Sequence, residues 1–188
     1  MTFETLLANQ QNKWRAVSLK YDIEKDLVYI DDNWPDNSLV GWTYIYVVGN
    51  EVKYIGNTKG SLKKRIKAEL NQKIDKIRTV DGAKKLGYTN IRVSQQLRER
   101  FEKHDLITLR FLNKLDYTSA NINGNQGISV IEDNYSFDDS FLLRWSPRSI
   151  QGHEKAKERP IPIERFLILK HIFKTEGHQT PEWNLGLG

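Results

Sequence analysis

A predicted β-hairpin between residues 43 and 55 constrains the fold of this chain more than any other part of the sequence. Residues 43–48 are β-branched or aromatic throughout, Gly49-Asn50 supplies a turn, and residues 52–55 form a second short run. Two such runs joined by a glycine-containing turn are typical of a β-hairpin. Because strand side chains alternate between the two faces of a sheet, Tyr44 and Tyr46 are predicted to share one face.

A basic helix is predicted directly after the hairpin. Residues 57–60 form a loop, and Ser61 can N-cap a helix that begins at Leu62. Arg65 lies in the first turn, where backbone amides and a guanidinium both favour an anion. An apolar stripe along this helix leaves three lysines mainly toward solvent: Lys63, Lys64 and Lys67. Tyrosines and an arginine brought together in this way are suited to binding and cutting a phosphodiester.

The hairpin and the helix resemble the signature of the GIY-YIG nuclease family. Tyr54-Ile55-Gly56 matches the second half of that signature, and the arginine of the following helix corresponds to Arg65. Where the family has Gly-Ile-Tyr, this chain has Trp42-Thr43-Tyr44, which leaves nine residues before Tyr54. Tyr46 is the competing choice for the first signature tyrosine, and it leaves seven residues.

Two positions depart from the family pattern. Glu69 stands where the family often carries a histidine, one turn after the arginine, so the role of that histidine is absent or moved. Asn57 stands where a lysine commonly follows Tyr-Ile-Gly. Lys59 can supply the positive charge at that point.

A second block near the C-terminal end supports the resemblance. Pro162 opens an apolar helix over residues 163–169, and Pro181-Glu182-Trp183-Asn184 follows. Members of the family place one glutamate on a later helix as their only protein metal ligand, followed by a Pro-x-Trp/Tyr-Asn sequence. Glu164 and Asn184 correspond to these positions, with a longer interval between them than is usual. The alternative role for Asn184 is to cap or bend the C-terminal tail.

The resemblance implies phosphodiester hydrolysis with Mg²⁺ or Mn²⁺, one ion per active site, held by Glu164. Tyr44 would act as general base, Tyr54 would orient the water or the phosphate, and Arg65 would bind a non-bridging oxygen. A free phenol has a pKa of about 10, so Tyr44 would have to be acidified, and Arg65 is expected to supply that field. Four further residues are expected to support the site: Tyr46, Lys59, Lys64 and Asn184. The same residue types also occur as strand aromatics, exposed helix arginines and first-turn carboxylates without any catalytic role.

The sequence predicts an α+β fold in which a small antiparallel β-sheet is flanked by helices, a GIY-YIG-like core with a large inserted region. At 188 residues, one domain is expected. It would comprise an N-terminal extension (1–40), a catalytic core (41–71 and 160–184) and an elaboration contacting DNA (72–159). Further predicted elements are a helix within 2–10, strands at 27–30, 106–112, 128–131 and 141–145, and a helix at 94–103.

The distribution of charge indicates a nucleic-acid partner. The formal net charge is +5, and the basic excess lies in residues 61–110, whereas residues 1–40 carry an acidic excess. A basic surface next to the tyrosine hairpin is suited to following phosphates, although a solvated basic face is the simpler alternative. Arginine also pairs with guanine edges. The residues predicted to contact DNA are Lys63, Lys67, Arg92, Arg98, Arg100, Arg144 and Arg148.

Composition excludes several other classes of function. The chain contains no cysteine, which excludes disulfides, cysteinyl zinc sites and thiol chemistry. Its four histidines show no metal-binding spacing, and no apolar run reaches membrane-spanning length. The N-terminal residues lack the pattern of a signal peptide, so a cytoplasmic protein is expected.

Among GIY-YIG nucleases, a compact chain with insertions most resembles a type II restriction endonuclease acting on double-stranded DNA. One such site breaks one strand, so cutting both strands of a symmetric target predicts a C2 homodimer. A homing or repair-type endonuclease is the alternative within the family. The alternatives outside it are a nucleic-acid-binding module without catalysis, and a structural or regulatory partner protein.

Overall fold

The computed structural model describes residues 1–7, 13–30, 39–70, 88–113 and 163–184. The helices in these ranges are α1 (Phe3–Leu7), α2 (Leu62–Leu70), α3 (Tyr88–Glu102) and α4 (Ile163–Lys174). The strands are β1 (Arg15–Asp22), β2 (Leu27–Ile30), β3 (Trp42–Val48), β4 (Glu51–Thr58) and β5 (Ile107–Asn113). The predicted strands at 128–131 and 141–145 lie outside the described residues.

The five strands form one antiparallel sheet in the order β2-β1-β5-β3-β4. Together with the helices this confirms a mixed architecture of the α+β type. β3 is paired on both sides, and all seven of its residues are buried. Its uninterrupted run of aromatic and β-branched residues is typical of a strand covered on both faces.

The predicted hairpin is confirmed as β3 and β4. Gly49 has a positive φ of 56°, which a residue without a Cβ adopts without steric cost, and the chain reverses there. The register pairs Tyr46 with Tyr54 and Tyr44 with Gly56, and it shifts between Tyr46 and Val47. The hairpin therefore places two tyrosines opposite each other and a third opposite a glycine.

The sheet lies between two apolar layers, as the alternation of strand side chains requires. On one face, Ile45 and Ile55 pack with apolar side chains of α1 and α4. On the other face, Tyr44, Tyr46 and Tyr54 pack with apolar side chains of α2 and α3. The tyrosine face is therefore covered by the helix that carries Arg65.

Parts of the chain outside the predicted core complete this sheet. β5, from the segment 72–159, is the middle strand, between β1 and β3. β1 and β2 come from the segment 1–40, and β1 was not predicted.

Two helices are longer than predicted. Helix α3 begins six residues before the predicted start, and α4 continues to Lys174. Within the described ranges, no helix combines the length and the apolar character needed to cross a membrane.

Candidate active site on the tyrosine face of the sheet

Three tyrosines form a contiguous cluster on one face of the hairpin. The ring centroids of Tyr44 and Tyr46 are 6.0 Å apart, and that of Tyr54 lies 6.1 Å from Tyr44 and 5.9 Å from Tyr46. This confirms the prediction that Tyr44 and Tyr46 share a face. Both are fully buried, and Tyr54 is nearly so. We refer to Tyr44, Tyr46 and Tyr54 as the tyrosine cluster.

Gly56 is the residue that allows the rings of Tyr44 and Tyr54 to lie against the backbone of β4. A Cβ atom at this position would stand 2.6 Å from Cε1 of Tyr54 and 2.8 Å from the hydroxyl oxygen of Tyr44. Side-chain carbons do not approach other heavy atoms so closely. A glycine is therefore required at position 56 by the close approach of two aromatic rings.

Helix α2 brings Arg65 to the tyrosine cluster. The buried side chains of Leu62, Ile66 and Leu70 seat the helix on the sheet. Arg65 Nε donates a hydrogen bond to the hydroxyl oxygen of Tyr44 at 3.0 Å. The predicted proximity of Arg65 and Tyr44 is confirmed by this contact.

Glu69, one helical turn after Arg65, is the charged centre of the cluster. It is fully buried, and it accepts hydrogen bonds from the hydroxyl of Tyr44 at 2.5 Å and from the hydroxyl of Tyr46 at 3.1 Å. Its Oε1 also lies 2.8 Å from Nη2 of Arg65. No role for Glu69 was predicted from the sequence. Glu69 lies on the buried face of α2, where an ionisable side chain normally has a partner, and this position in the sequence could have indicated its contacts.

The electrostatics of the cluster oppose the expected acidification of Tyr44. Burial and the neighbouring Glu69 carboxylate raise the pKa of Tyr44 well above its ordinary value, and the opposing effect of Arg65 is smaller. Burial likewise raises the pKa of Tyr54 to about 12. The expected field of Arg65 is therefore present, but desolvation and Glu69 outweigh it.

Glu164 reaches the same region from α4. It lies in the first turn of that helix and accepts a hydrogen bond from the side-chain amide of Asn57, the residue after Gly56 on β4. Burial raises the pKa of Glu164 to about 7, and the positive charge of Arg65 opposes this rise. The charge of Glu164 in turn contributes to raising the pKa of Tyr54. Glu164 is thus within electrostatic reach of both Arg65 and Tyr54.

The side chain of Asn184 binds the backbone of β4. Its Oδ1 accepts a hydrogen bond from the amide of Ile55 at 2.9 Å, and its Nδ2 donates to the carbonyl of Ile55 at 2.8 Å. The amide of Trp183 donates to the carbonyl of Lys53 at 2.8 Å. The tail therefore completes the hydrogen bonding of β4 at the edge of the sheet, and the contacts of Asn184 support the site through the backbone.

Exposed lysines lie along α2 and in the loop that precedes it. Lys59, in the loop before the helix, is exposed, as are Lys64 and Lys67, whereas Lys63 is half-buried. All four lie on the segment that carries Arg65.

The arginines of α3 make contacts within the protein. Arg98 Nε lies 2.5 Å from Oδ1 of Asp26, and Nη1 donates to the carbonyl of Leu70 at 3.0 Å. Arg92 donates to the carbonyl of Glu182 at 2.8 Å, and Nη2 of Arg100 lies 3.0 Å from the Glu182 carboxylate. These contacts tie α3 to α2, to the turn after β1 and to the C-terminal tail. The two other predicted DNA contacts, Arg144 and Arg148, lie outside the described residues.

The donor set fits a metal ion that takes few ligands from protein. Within the described part of the chain, there is no group of three or more His, Cys, Asp or Glu side chains placed to hold a metal. Glu164 is a single half-buried carboxylate beside the exposed amide of Asn57. Mg²⁺ keeps several waters and commonly uses one or two carboxylates together with substrate phosphate oxygens, which this arrangement allows.

Comparison with known proteins gives no relative for this chain. No protein-family model, no curated protein and no solved structure matches it.

Proposed function

We propose that this chain is a Mg²⁺-dependent endonuclease with a GIY-YIG-like core that hydrolyses phosphodiester bonds of double-stranded DNA. One observation carries the proposal. Arg65 of α2 donates to the hydroxyl of Tyr44 on β3. Glu164 of α4 accepts from Asn57, which follows the glycine that packs against Tyr44. A phenol, a guanidinium and a carboxylate that converge from distant parts of the sequence provide the groups that phosphodiester hydrolysis requires.

Each residue has a role that follows from its position. Arg65 binds a non-bridging phosphate oxygen, because a guanidinium is a strong donor to anions and α2 presents it near the positive end of the helix. Tyr44 accepts a proton from the attacking water, and Tyr54 orients the water or the phosphate through its hydroxyl. Glu164 would hold the Mg²⁺, with Asn57 orienting the carboxylate. When bound, the ion supplies charge neutralisation at the phosphate.

We also propose a type II restriction role, with the chain acting as a homodimer on a symmetric site. The support for this refinement is the sequence resemblance and the exposed lysines Lys59, Lys64 and Lys67 beside the site. Two copies related by a twofold axis would place one site on each strand. Sequencing the ends of digested phage DNA tests this role. A single recurring sequence at the ends supports it, whereas ends scattered without a common sequence favour a repair-type nuclease.

Nicking of supercoiled plasmid tests the proposed chemistry. Wild-type protein is expected to convert the plasmid to nicked and linear forms with Mg²⁺ and to leave it intact in EDTA. Tyr44→Phe and Glu164→Gln should each lower the rate by about 100-fold or more while DNA binding is retained. Tyr29→Phe and Glu102→Gln are matched controls on β2 and at the end of α3, and they should cleave like wild type. Full activity of Tyr44→Phe and Glu164→Gln would reject the assignment.

A nucleic-acid-binding module without catalysis is the second candidate, because Tyr44 is fully buried while Lys64 and Lys67 of α2 are exposed. Such a module would bind DNA or RNA with a strong dependence on salt and would leave plasmid intact at every Mg²⁺ and Mn²⁺ concentration. The same plasmid assay, run beside a filter-binding measurement, separates the two candidates.

A further inference from the structure

Glu69 has a set of contacts that the proposed roles do not use. It is a fully buried carboxylate held by three side chains from β3 and α2: Tyr44, Tyr46 and Arg65. The hydrogen bond from the Tyr44 hydroxyl to Oε1 of Glu69, at 2.5 Å, is shorter than the Tyr46 bond to Oε2, at 3.1 Å. The phenolic proton of Tyr44 therefore already points at a carboxylate oxygen.

We infer that Glu69 accepts the phenolic proton of Tyr44 during cleavage, so that Tyr44 and Glu69 act as a two-step proton relay from the attacking water. This inference rests on the proposed nuclease function. Glu69 acts through Tyr44 and is therefore a positioning and proton-accepting residue behind the site. Arg65 connects the two, since its Nε donates to the Tyr44 oxygen and its Nη2 contacts Glu69.

The relay balances without any further reagent. The water gives one proton to the oxygen of Tyr44, and Tyr44 passes its own proton to Oε1 of Glu69, which becomes a neutral carboxylic acid. The water oxygen forms a bond to phosphorus, and the bond from phosphorus to the leaving ester oxygen breaks with its electron pair on that oxygen. The leaving oxygen takes a proton from solvent, and after the product departs Glu69 returns its proton to solvent through Tyr44.

The charges around Tyr44 explain why a relay is needed. Tyr44 is surrounded by Tyr46 and Tyr54 on the sheet and by Arg65 and Glu69 on α2. Burial and Glu69 raise its pKa, so a phenolate does not accumulate and the proton has to leave as another arrives. Burial raises the pKa of Glu69 as well, against the lowering effects of Arg65, Tyr44 and Tyr46. A more basic carboxylate is a better proton acceptor.

A purely structural role is the competing explanation, because Glu69 also fixes two tyrosine hydroxyls. Glu69→Gln separates the two roles. It keeps an oxygen that can accept from Tyr44 and nearly the same volume, but it cannot take up a proton. Glu69→Asp restores the carboxylate on a shorter side chain. Thermal unfolding of each variant shows whether it is folded before rates are compared.

The experiment is single-turnover plasmid nicking with Mg²⁺ by the full chain. Glu69→Gln should lower the cleavage rate by about 100-fold with DNA affinity within about twofold of wild type, and Glu69→Asp should recover at least about tenfold of that loss. Adding Glu69→Gln to Tyr44→Phe should cost little more than Tyr44→Phe alone, because both act on one proton transfer. Equal rates for Glu69→Gln and wild type would overturn the relay and leave the nuclease function standing. A wild-type protein that never nicks DNA would reject the function itself.

A second variant decides the question if Glu69→Gln does not fold. Tyr46→Phe leaves Glu69 in place and removes one hydrogen bond that lowers its pKa. The low-pH limb of the rate profile should then move to higher pH, since Glu69 has to be ionised to accept the proton. The Tyr46 hydroxyl donates its hydrogen bond to Glu69, which is the contact that this variant removes. A profile identical to wild type would contradict the relay.

Discussion

Asn184 and Ile55 are joined by two hydrogen bonds across the edge of the sheet. The carboxamide of Asn184 accepts from the backbone amide of Ile55 at 2.9 Å and donates to its carbonyl at 2.8 Å. β4 is an edge strand, so these groups would otherwise have no strand partner on that side. The side chain of Asn184 thereby takes the place of a neighbouring strand next to Gly56 and the tyrosine cluster.

Asn184→Ala should destabilise the protein. It leaves two buried backbone groups of Ile55 unpaired, and each such group costs about 1–3 kcal/mol. Urea unfolding should show a loss of about 2–4 kcal/mol in the free energy of unfolding. Lys103→Ala, at an exposed position after α3, is the control and should stay within about 0.5 kcal/mol of wild type. An unchanged unfolding midpoint for Asn184→Ala would show that the tail does not support β4.

Gly56→Ala should disturb the tyrosine cluster directly. The new methyl group would lie 2.6 Å from Tyr54 and 2.8 Å from Tyr44, so at least one ring must move. We expect a loss of about 1–3 kcal/mol in the free energy of unfolding and a cleavage rate at least about tenfold lower. Gly60→Ala is the matched control, because its nearest neighbour would be Oγ1 of Thr58 at 3.9 Å. Equal effects of the two substitutions would argue against close packing at Gly56.

The local elements of this fold could be predicted from sequence, and the long-range pairing could not. The hairpin has alternating tyrosines and a glycine turn, and α2 has an N-cap and an apolar stripe, all within a few residues of one another. β1 carries a similar local pattern that was missed. Val17, Leu19 and Tyr21 alternate with polar residues, and they pack on the tyrosine face of the sheet. The central position of β5 depends on contacts with β1 and β3, which no local pattern specifies.

In the candidate site too, local placement could be predicted from the sequence, whereas burial and long-range contacts could not. Period-two alternation correctly placed Tyr44 and Tyr46 on one face, and Arg65 was correctly expected beside them. The contacts of Glu69 with Tyr44 and Tyr46 were not predicted, because Glu69 was considered only as a replacement for the family's histidine. The rise in the pKa of Tyr44 was also missed, because it depends on burial beneath α2, which the sequence of the hairpin does not reveal.

Arg98→Ala should reduce stability, because Arg98 joins α3 to two other parts of the chain. Its guanidinium lies 2.5 Å from the carboxylate of Asp26 and donates to the carbonyl of Leu70 at the end of α2. Hydrogen bonds to charged groups contribute about 1.5–3 kcal/mol each, so a loss of about 2–3 kcal/mol in the free energy of unfolding is expected. Denaturation in urea measures it. An unfolding curve that coincides with that of wild type would show that these contacts of Arg98 do not stabilise the fold.

Neutralising the lysines of α2 should change how DNA binding depends on salt. Each phosphate contact contributes about 0.9 to the slope of log K against log salt, so Lys64→Gln with Lys67→Gln should lower the slope by about 2. Fluorescence anisotropy with a labelled duplex in EDTA measures this slope without cleavage. Lys103→Gln is the control, because it removes one positive charge outside α2 and should leave the slope unchanged. If the double variant keeps the wild-type slope, DNA does not follow α2.

Glu164 should make stability depend on pH in the absence of Mg²⁺. Burial raises its pKa from the usual value of 4.5 to about 7 in the folded protein. Between these values the folded state holds a proton that the unfolded chain has released, so the stabilising contribution is present at low pH and is lost as pH rises through about 7. Glu164→Gln removes this titration. Its melting temperature should therefore rise relative to wild type between about pH 5 and about pH 8 when both are measured in EDTA.

Adding Mg²⁺ at the higher pH should reverse this difference. The ionised carboxylate then gains a partner that binds the folded state, so the melting temperature of wild type should increase with Mg²⁺ concentration. Glu164→Gln has lost the carboxylate and should show little response. Differential scanning fluorimetry across a Mg²⁺ series at two pH values measures both effects on the same samples. Equal Mg²⁺ responses of the two proteins would place the ion elsewhere, and parallel pH curves in EDTA would show that Glu164 titrates at its ordinary value.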